Sequence, residues 1–536
     1  MPRAALPRRL IFAALVAFTV LLFGSTLEAL RSSGPTAGRI LHHLTLFGVA
    51  GLCLAVFLAA AAWLAYRYPD WAMPVVVVLA PLRLELPLGT RSSDLLVPLY
   101  LILLAVAIAE ILVRDRLRVP EGRRTDPVRI ALAVMVAVIG LSSLWVGHGY
   151  VTDVKAFADA LIKLFAFYLP FVVLYYVVYR YAADVGKLSR LLTTFVAAGA
   201  VLAVIGLIEV PTHLVIVNRA AAAHARALGQ PFRANSLFFD PNVFGRFLAL
   251  VVIVGAALYL AARLREPSAA RTRALRLIAI AVGLAAAALI ATVSRSSVTG
   301  LLIGGVVLEM AWLGRRKGGV VALITVLVLL AGVGGFTALR LPTQLPSRVL
   351  SVKGLNKITS GRVYLIQAGG RMFLKHPLAG LGLASFPVAY PSFRGKPTES
   401  LAVRDSHTTV VTVAAEQGLI GLAALTGLLI TFFATTLHKR RFGADRRLYL
   451  WQAALVAGVL SVFVHSMTYN AFFEDPYTWL FMALASAVVT QVVLVDPLAL
   501  VAGDGDAADA AVATGRRRVL RRPPPTPSPS SRTGSL

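Results

Sequence analysis

Apolar runs of about 17–25 residues recur along almost the whole chain, and they restrict its fold more than any other feature. Within a bilayer every backbone N–H and C=O has to be satisfied inside the segment itself, so such runs are expected to be helices. They fall near 10–30, 41–66, 72–88, 94–114, 127–147, 160–182, 188–210, 243–263, 275–293, 298–314, 320–338, 409–437, 448–468 and 476–496. Charged residues make up only 15% of the 536, against about 25% in soluble domains. The expected fold is all-α and polytopic, with 12–14 transmembrane helices. The run from Trp71 to Leu88 is the weakest, because it holds Pro74, Pro81, Arg83 and Glu85; it reads as a re-entrant or interfacial piece. The first run follows Arg8-Arg9 without a small-x-small cleavage signal and reads as a retained span.

The net charge of +28 suggests nucleic acid at first sight. Its distribution argues against that partner. The basic residues sit in short loops between apolar runs, with no basic face carrying aromatic or polar readers. With the N-terminus inside, the inner loops are Arg114 to Arg129, Arg263 to Arg276, Arg315-Arg316-Lys317 and Lys439 to Arg447, and the tail carries Arg516-Arg517-Arg518. All are strongly basic, whereas the short loops on the other side are less so, as the positive-inside rule requires. Both termini are thus expected in the cytoplasm. The single cysteine, Cys53, permits no intramolecular disulfide.

Three regions follow: an N-terminal bundle over 1–210, a second region over 211–496, and a tail over 497–536 that is basic and then Pro/Ser-rich. The tail cannot bury a core and is expected to be disordered. The second region holds two long outer segments, 211–242 and 339–408. Loops of such length, about 70 residues for the second, are usually functional or disordered. The stretch from Arg362 to Lys375 mixes apolar and basic residues and is expected to form part of a helical cap between the spans at 320–338 and 409–437.

Unusual polar residues scatter over the second region yet fall on one predicted side. Arg233, Asn235, Asp240 and Asn242 come from the first long segment, and Ser294-Arg295 from a tight outer connection. Arg362 and His376 lie in the cap, and His407 closes it. His465, Glu474 and Asp475 mark the last outer turn. An outer arginine is a poor topology anchor, so Arg295 reads as a phosphate clamp, its guanidinium fork matched to phosphate oxygens. Arg362 and Arg233 are similar candidates. Asp405 and Ser406 are better helix caps than His407, which leaves the imidazole for general-base work. Glu416, about two turns into its helix, is placed to orient His407 or an arginine. Glu474 and Asp475 are placed to bind an acceptor sugar or to pair with an arginine. His376-Pro377 reads as a turn. No HExxH, DxD or Cys/His cluster occurs among these residues, so neither a metal nor a cofactor is expected.

Several motifs, in order, resemble the O-antigen ligase/polymerase superfamily. Ser294-Arg295-Ser-Ser-Val-Thr-Gly-Leu-Leu resembles its SR-small element. Gly361-Arg362-Val-Tyr-Leu-Ile-Gln-Ala368 resembles its GR…W…A element, with Tyr364 where Trp is usual. His376 to Phe386 resembles its HPL.G.G…F stretch, His407 to Gly421 its H…E.G..G segment, and Arg233 to Asn242 its G.F..PN region. The resemblance covers about 230 to 480, and the spans exceed the dozen or so usual in the family.

It implies a GT-C-like, metal-independent, inverting glycosyltransferase of the bacterial inner membrane with an extracytoplasmic site. The donor would be a glycan on undecaprenyl diphosphate. The acceptor would be a sugar hydroxyl, on lipid A-core of lipopolysaccharide in a ligase or on another lipid-linked glycan in a polymerase, with a chain-length regulator as a possible partner. By the same resemblance Arg295 and Arg362 would hold the diphosphate and His407 would activate the acceptor. A transporter or flippase for lipid-linked glycans is the alternative of another class. Such proteins place charges near the midplane of repeated halves, and neither pattern is seen here. Reporter fusions at Gly354 and Gly443 test the orientation: the first is expected to report outside and the second inside, and the reverse would put the donor on the wrong face.

Overall fold

The computed structural model describes residues 56–82, 84–88, 91–109, 126–145, 154–182, 184–217, 232–314, 317–321, 361–395, 405–437 and 445–492, with isolated positions at 227, 324, 327, 356 and 442. The tail, the first expected span and most of the spans at 41–66 and 320–338 lie outside the described residues.

Short polar side chains start the long helices. Asp126, Asp240 and Asp475 each precede a proline, and each carboxylate accepts the N–H two residues on, which fixes the starts of α4, Pro127–Ser142, α7, Pro241–Arg263, and α14, Pro476–Ala487. Asp184, Ser268 and Asp445 likewise cap α6, Val185–Thr212, α8, Ala269–Ala291, and α13, Arg446–His465. The remaining helices are α1, Val56–Arg67, α2, Pro69–Leu79, α3, Val97–Ile108, α9, Arg295–Leu313, α10, Arg362–Lys375, α11, Phe386–Phe393, and α12, Thr409–Thr436. α5 comprises Val154–Lys163, a π-helical turn Leu164–Tyr168, and Leu169–Tyr181.

Among the described residues, seven helices are long and apolar enough to cross a membrane: the Phe157–Tyr181 stretch of α5, then α6, α7, α8, α9, α12 and α13. The molecule is a helical polytopic membrane protein. The expected span at 72–88 is corrected by the structure. Its helix stops at Leu79, and Leu84–Leu88 (β1) pairs antiparallel with Arg91–Leu95 (β2) in a small hairpin. Pro81 and the charges of the following residues end the apolar helix.

α7 and α13 are the most buried of the seven and pack on one another, with α9 laid against both. Gly300 allows this, since a Cβ there would meet the backbone carbonyl of Ser461 at 2.9 Å. The close contact sets the N-terminal end of α9, with Arg295, beside the C-terminal end of α13, with His465.

The cap helices α10 and α11 lie between the spans, α10 over the expected 362–375. They share an apolar cluster of Leu365, Met372, Phe386, Tyr390 and Ala415, which seats the cap on α12. α12 kinks at Gly418, where φ is 63° and ψ −152°, a conformation open essentially to glycine alone. The kink frees backbone groups that a straight helix would pair internally. The loop between α10 and α11 takes them up: Leu381 N–H donates to Ala415 C=O and Gly382 N–H to Glu416 C=O, while Leu419 and Ile420 donate to Pro377 and Leu378. Gly418→Ala is expected to cost about 1–3 kcal/mol and to undock this loop, because its Cβ would also lie 2.5 Å from the Leu378 carbonyl. A thermal melt in detergent checks it; an unchanged midpoint would contradict the docking role.

Candidate functional site

The site lies where the ends of α7, α9, α10, α12 and α13 meet. The turn Thr292–Ser294 clasps the 233–242 segment. Arg233 donates from Nε to the Thr292 carbonyl (2.8 Å) and from Nη2 to the Asn242 side-chain oxygen (2.8 Å). Ser294 and Ser297 hydroxyls lie 2.7 Å apart, and Ser297 donates to the Asn242 carbonyl. Ser294, Asp240 and Asn242 therefore build the turn, with Asp240 capping α7. Beside it Val293 sits at φ 51°, a left-handed conformation costly for a β-branched residue.

This frame presents Arg295, exposed, at the first position of α9. Its charge acts on both Arg233 and Arg362, so three guanidiniums from three distant segments share one neighbourhood. At Arg362 burial and then Arg295 disfavour the charged form. At Arg233 burial does so foremost, Asp240 opposes it and Arg295 adds to it. Among the described residues, no carboxylate is ion-paired with Arg295 or Arg362. A cluster of like charges in partly buried surroundings is unfavourable unless an anion joins it.

His407 stands at the entry to α12, also left-handed at φ 55°. Asp405 holds it twice: its Oδ1 accepts the His407 backbone N–H at 2.6 Å and lies 3.5 Å from Nδ1. Among the described residues no hydrogen bond engages Nε2. The side chain is 42% exposed. Its ring packs near Tyr469 (6.3 Å), and Tyr469 in turn packs near His465 (5.9 Å). The charges of Arg246 and Arg362 both reach His465. Electrostatic reach links Arg295 to Arg362 and Arg362 to His465, and ring neighbours lead from His465 through Tyr469 to His407.

Two carboxylates pair differently from the sequence expectation. Glu416 does not orient His407; it is buried, and its Oε1 accepts the Phe386 N–H at 3.3 Å, which secures the cap loop. Glu474 pairs with a lysine rather than an arginine, Lys163 at 3.3 Å. Asp475 does pair with an arginine: Arg246 Nη2 meets its Oδ2 at 2.6 Å with both side chains buried. His376 closes α10, and its carbonyl accepts the Gly380 N–H, a turn as expected.

Sequence reasoning missed Arg246 and Lys163. Both sit inside apolar runs, and that location was itself the signal, since an intramembrane charge is rarely neutral in function. Among the described residues no group of three or more His, Cys, Asp or Glu side chains is placed to hold a metal.

A group of arginines at one end of an apolar helical bundle, beside a helical cap, defines the class: a multi-pass membrane protein with a cationic centre at one end of its spans. Residues 280–426 match the O-antigen ligase family model, a stretch running from α8 into α12 that includes Arg295, Arg362, His407 and Glu416. The match supports the resemblance to the O-antigen ligase/polymerase superfamily and, with it, a glycosyltransferase-like role in polysaccharide biosynthesis. No curated protein matches the chain.

Removing one member of the Arg246–Asp475 pair strands a buried charge. Arg246→Met is expected to cost about 3–5 kcal/mol, and adding Asp475→Asn to recover part of it. Thermal unfolding of the two variants checks this; equal stability of wild type and Arg246→Met would contradict it.

Proposed function

We infer that this protein transfers a glycan from an undecaprenyl-diphosphate-linked donor to an acceptor sugar hydroxyl at the extracytoplasmic face of the membrane. The observation that carries this reading is the shared neighbourhood of Arg295, Arg362 and Arg233, in which neither Arg295 nor Arg362 is ion-paired with a carboxylate among the described residues, and from which His465 and Tyr469 lead to His407. A diphosphate supplies negative charge to the cluster, and pairs of its non-bridging oxygens suit planar guanidinium forks.

The step follows from the parts. His407 Nε2 takes the proton of the acceptor hydroxyl as its oxygen forms a bond to the anomeric carbon. The bond from that carbon to the diphosphate oxygen breaks in the same displacement, and undecaprenyl diphosphate leaves with the electron pair. Arg295 and Arg362 stabilise the charge that grows on the leaving oxygen. Attack opposite the leaving group inverts the anomeric carbon. Arg233, tied to Asn242 and Thr292, holds the cluster in shape and adds its charge to it.

The role of the base is tested by His407→Ala in membranes supplied with donor and acceptor. Transfer is expected to fall a hundredfold or more, about the range for a positioned general base, with the protein still inserted. Near-normal transfer would remove that role. Arg295→Lys, assayed alongside, is expected to lose about tenfold or more, because an ammonium lacks the second donor of the fork; full activity would reduce Arg295 to a point charge.

A further inference from the structure

A groove at the far end of the bundle plays no part in that chemistry. It lies between the end of α3, the start of α4 and the second half of α5, and has a volume of about 130 Å³. The last residue of α4, Ser142, accepts the Leu383 N–H of the cap loop, so Arg129, in the first turn of that helix, stands at the end away from the cap. Ala107, Leu132 and Val172 line the groove together with Tyr175, Tyr176 and Tyr179. The tyrosines present rings rather than hydroxyls, because the hydroxyls are engaged elsewhere. Tyr175 donates to Asp126 Oδ2 at 2.8 Å, Tyr179 shares a hydrogen bond with Thr490 Oγ1 at 2.8 Å, and Tyr176 accepts from Arg180 Nη1 at 3.2 Å. Ile130 and Val134, next in the chain to the lining residues Arg129 and Ala133, are exposed apolar side chains on the surface of α4.

An apolar cavity left empty forfeits packing on every wall. This one approaches the roughly 150 Å³ that admits a benzene ring, so it has room for a run of several methylenes. The mouth is different. Arg129 is exposed in the first turn of α4, where the helix dipole disfavours a cation. The carboxylate within its reach, Asp126, is buried and already bonded to the Val128 N–H and the Tyr175 hydroxyl. Among the described residues Arg129 joins no ion pair. Arg180, held over the Tyr176 ring at 5.6 Å, puts a second guanidinium beside the same groove.

We propose that this groove binds an anionic phospholipid: one acyl chain fills the apolar cavity, and the phosphate rests on Arg129 with Arg180 beside it. A ligand that satisfies both parts has to join an apolar chain to an anion, and in a bilayer a lipid is the molecule that does so. Guanidinium forks match phosphate oxygens. Two of them favour a headgroup of net negative charge over a zwitterion. The charge pattern of the loops puts the expected cytoplasmic side at this end, where basic pockets between spans take such headgroups. The site lies apart from Arg295 and His407 and does not depend on the transfer reading.

The test titrates the full-length protein, delipidated in detergent, with phosphatidylglycerol, phosphatidylcholine or inorganic phosphate and reads the thermal midpoint. Phosphatidylglycerol is expected to raise it by about 3 °C or more, as a ligand of the folded state does. Phosphatidylcholine is expected to give less than half of that rise, and inorganic phosphate none. Arg129→Gln, at an exposed position, is expected to lose the preference between the two lipids. Ala133→Trp, which fills the groove from its exposed edge, is expected to lose most of the response to both. Should that variant fail to fold, an experimental map of the wild type in phosphatidylglycerol nanodiscs reads the site directly, with a chain in the groove and a phosphate at Arg129. Equal stabilisation by the two lipids, an Arg129→Gln variant that keeps the preference, a shift from inorganic phosphate as large as that from phosphatidylglycerol, or polypeptide filling the groove in the map would overturn the proposal.

Discussion

A charge or polar group inside an apolar bundle has to find a partner, and this requirement shapes the whole cap end of the molecule. Asp475 answers Arg246 at the contact between α14 and α7. Glu209 of α6 accepts the N–H groups of Asn235 and Ser236, which pins the segment leading to Asp240. Glu416 accepts the Phe386 N–H and helps hold the cap loop on the kink at Gly418. Once these pairs are formed, Arg295 and Arg362 remain without a carboxylate partner among the described residues.

The division of labour also explains the conformations at the site. Val293 and His407 both adopt left-handed backbone angles immediately before the helices that carry the chemistry. Such residues persist only where surrounding bonds over-determine them. Around Val293 those bonds run from Arg233 and Ser297 to neighbouring carbonyls; around His407 they run from its own backbone to Asp405 and from Thr408 to Met467. The result is that Arg295 and His407 each stand at a helix entrance with their backbones fixed.

Much of this was legible in the residues before any coordinates. Hydropathy marked the long helices because backbone satisfaction in lipid allows little else, and the mixed composition of Arg362 to Lys375 marked a cap helix. Arg295 and His407 stood out because each is a poor fit to the simple roles of anchor and cap. What was not legible depended on contacts between distant segments. Asp240 stood out as an unusual polar residue, and its capping of α7, shared with Asp126-Pro127 and Asp475-Pro476, became visible only in the fold. Glu416 bonds to a residue thirty positions earlier, and Lys163 meets Glu474 across more than three hundred. Arg246 and Lys163 were hidden by the apolar runs around them. The run at 72–88 was long enough to span, and only its prolines and charges warned of the hairpin that follows Leu79.

The match of residues 280–426 to the O-antigen ligase family covers the segments that carry Arg295, Arg362 and His407, while Arg233, Arg246 and Glu474 lie outside it. The central claim is that the three arginines gather around a diphosphate. An experimental structure of the protein with undecaprenyl diphosphate bound tests it most directly. The account predicts density for the two phosphates between Arg295 and Arg362, with the free outer phosphate turned toward His407; phosphates seated elsewhere, with these guanidiniums in contact only with water, would contradict it.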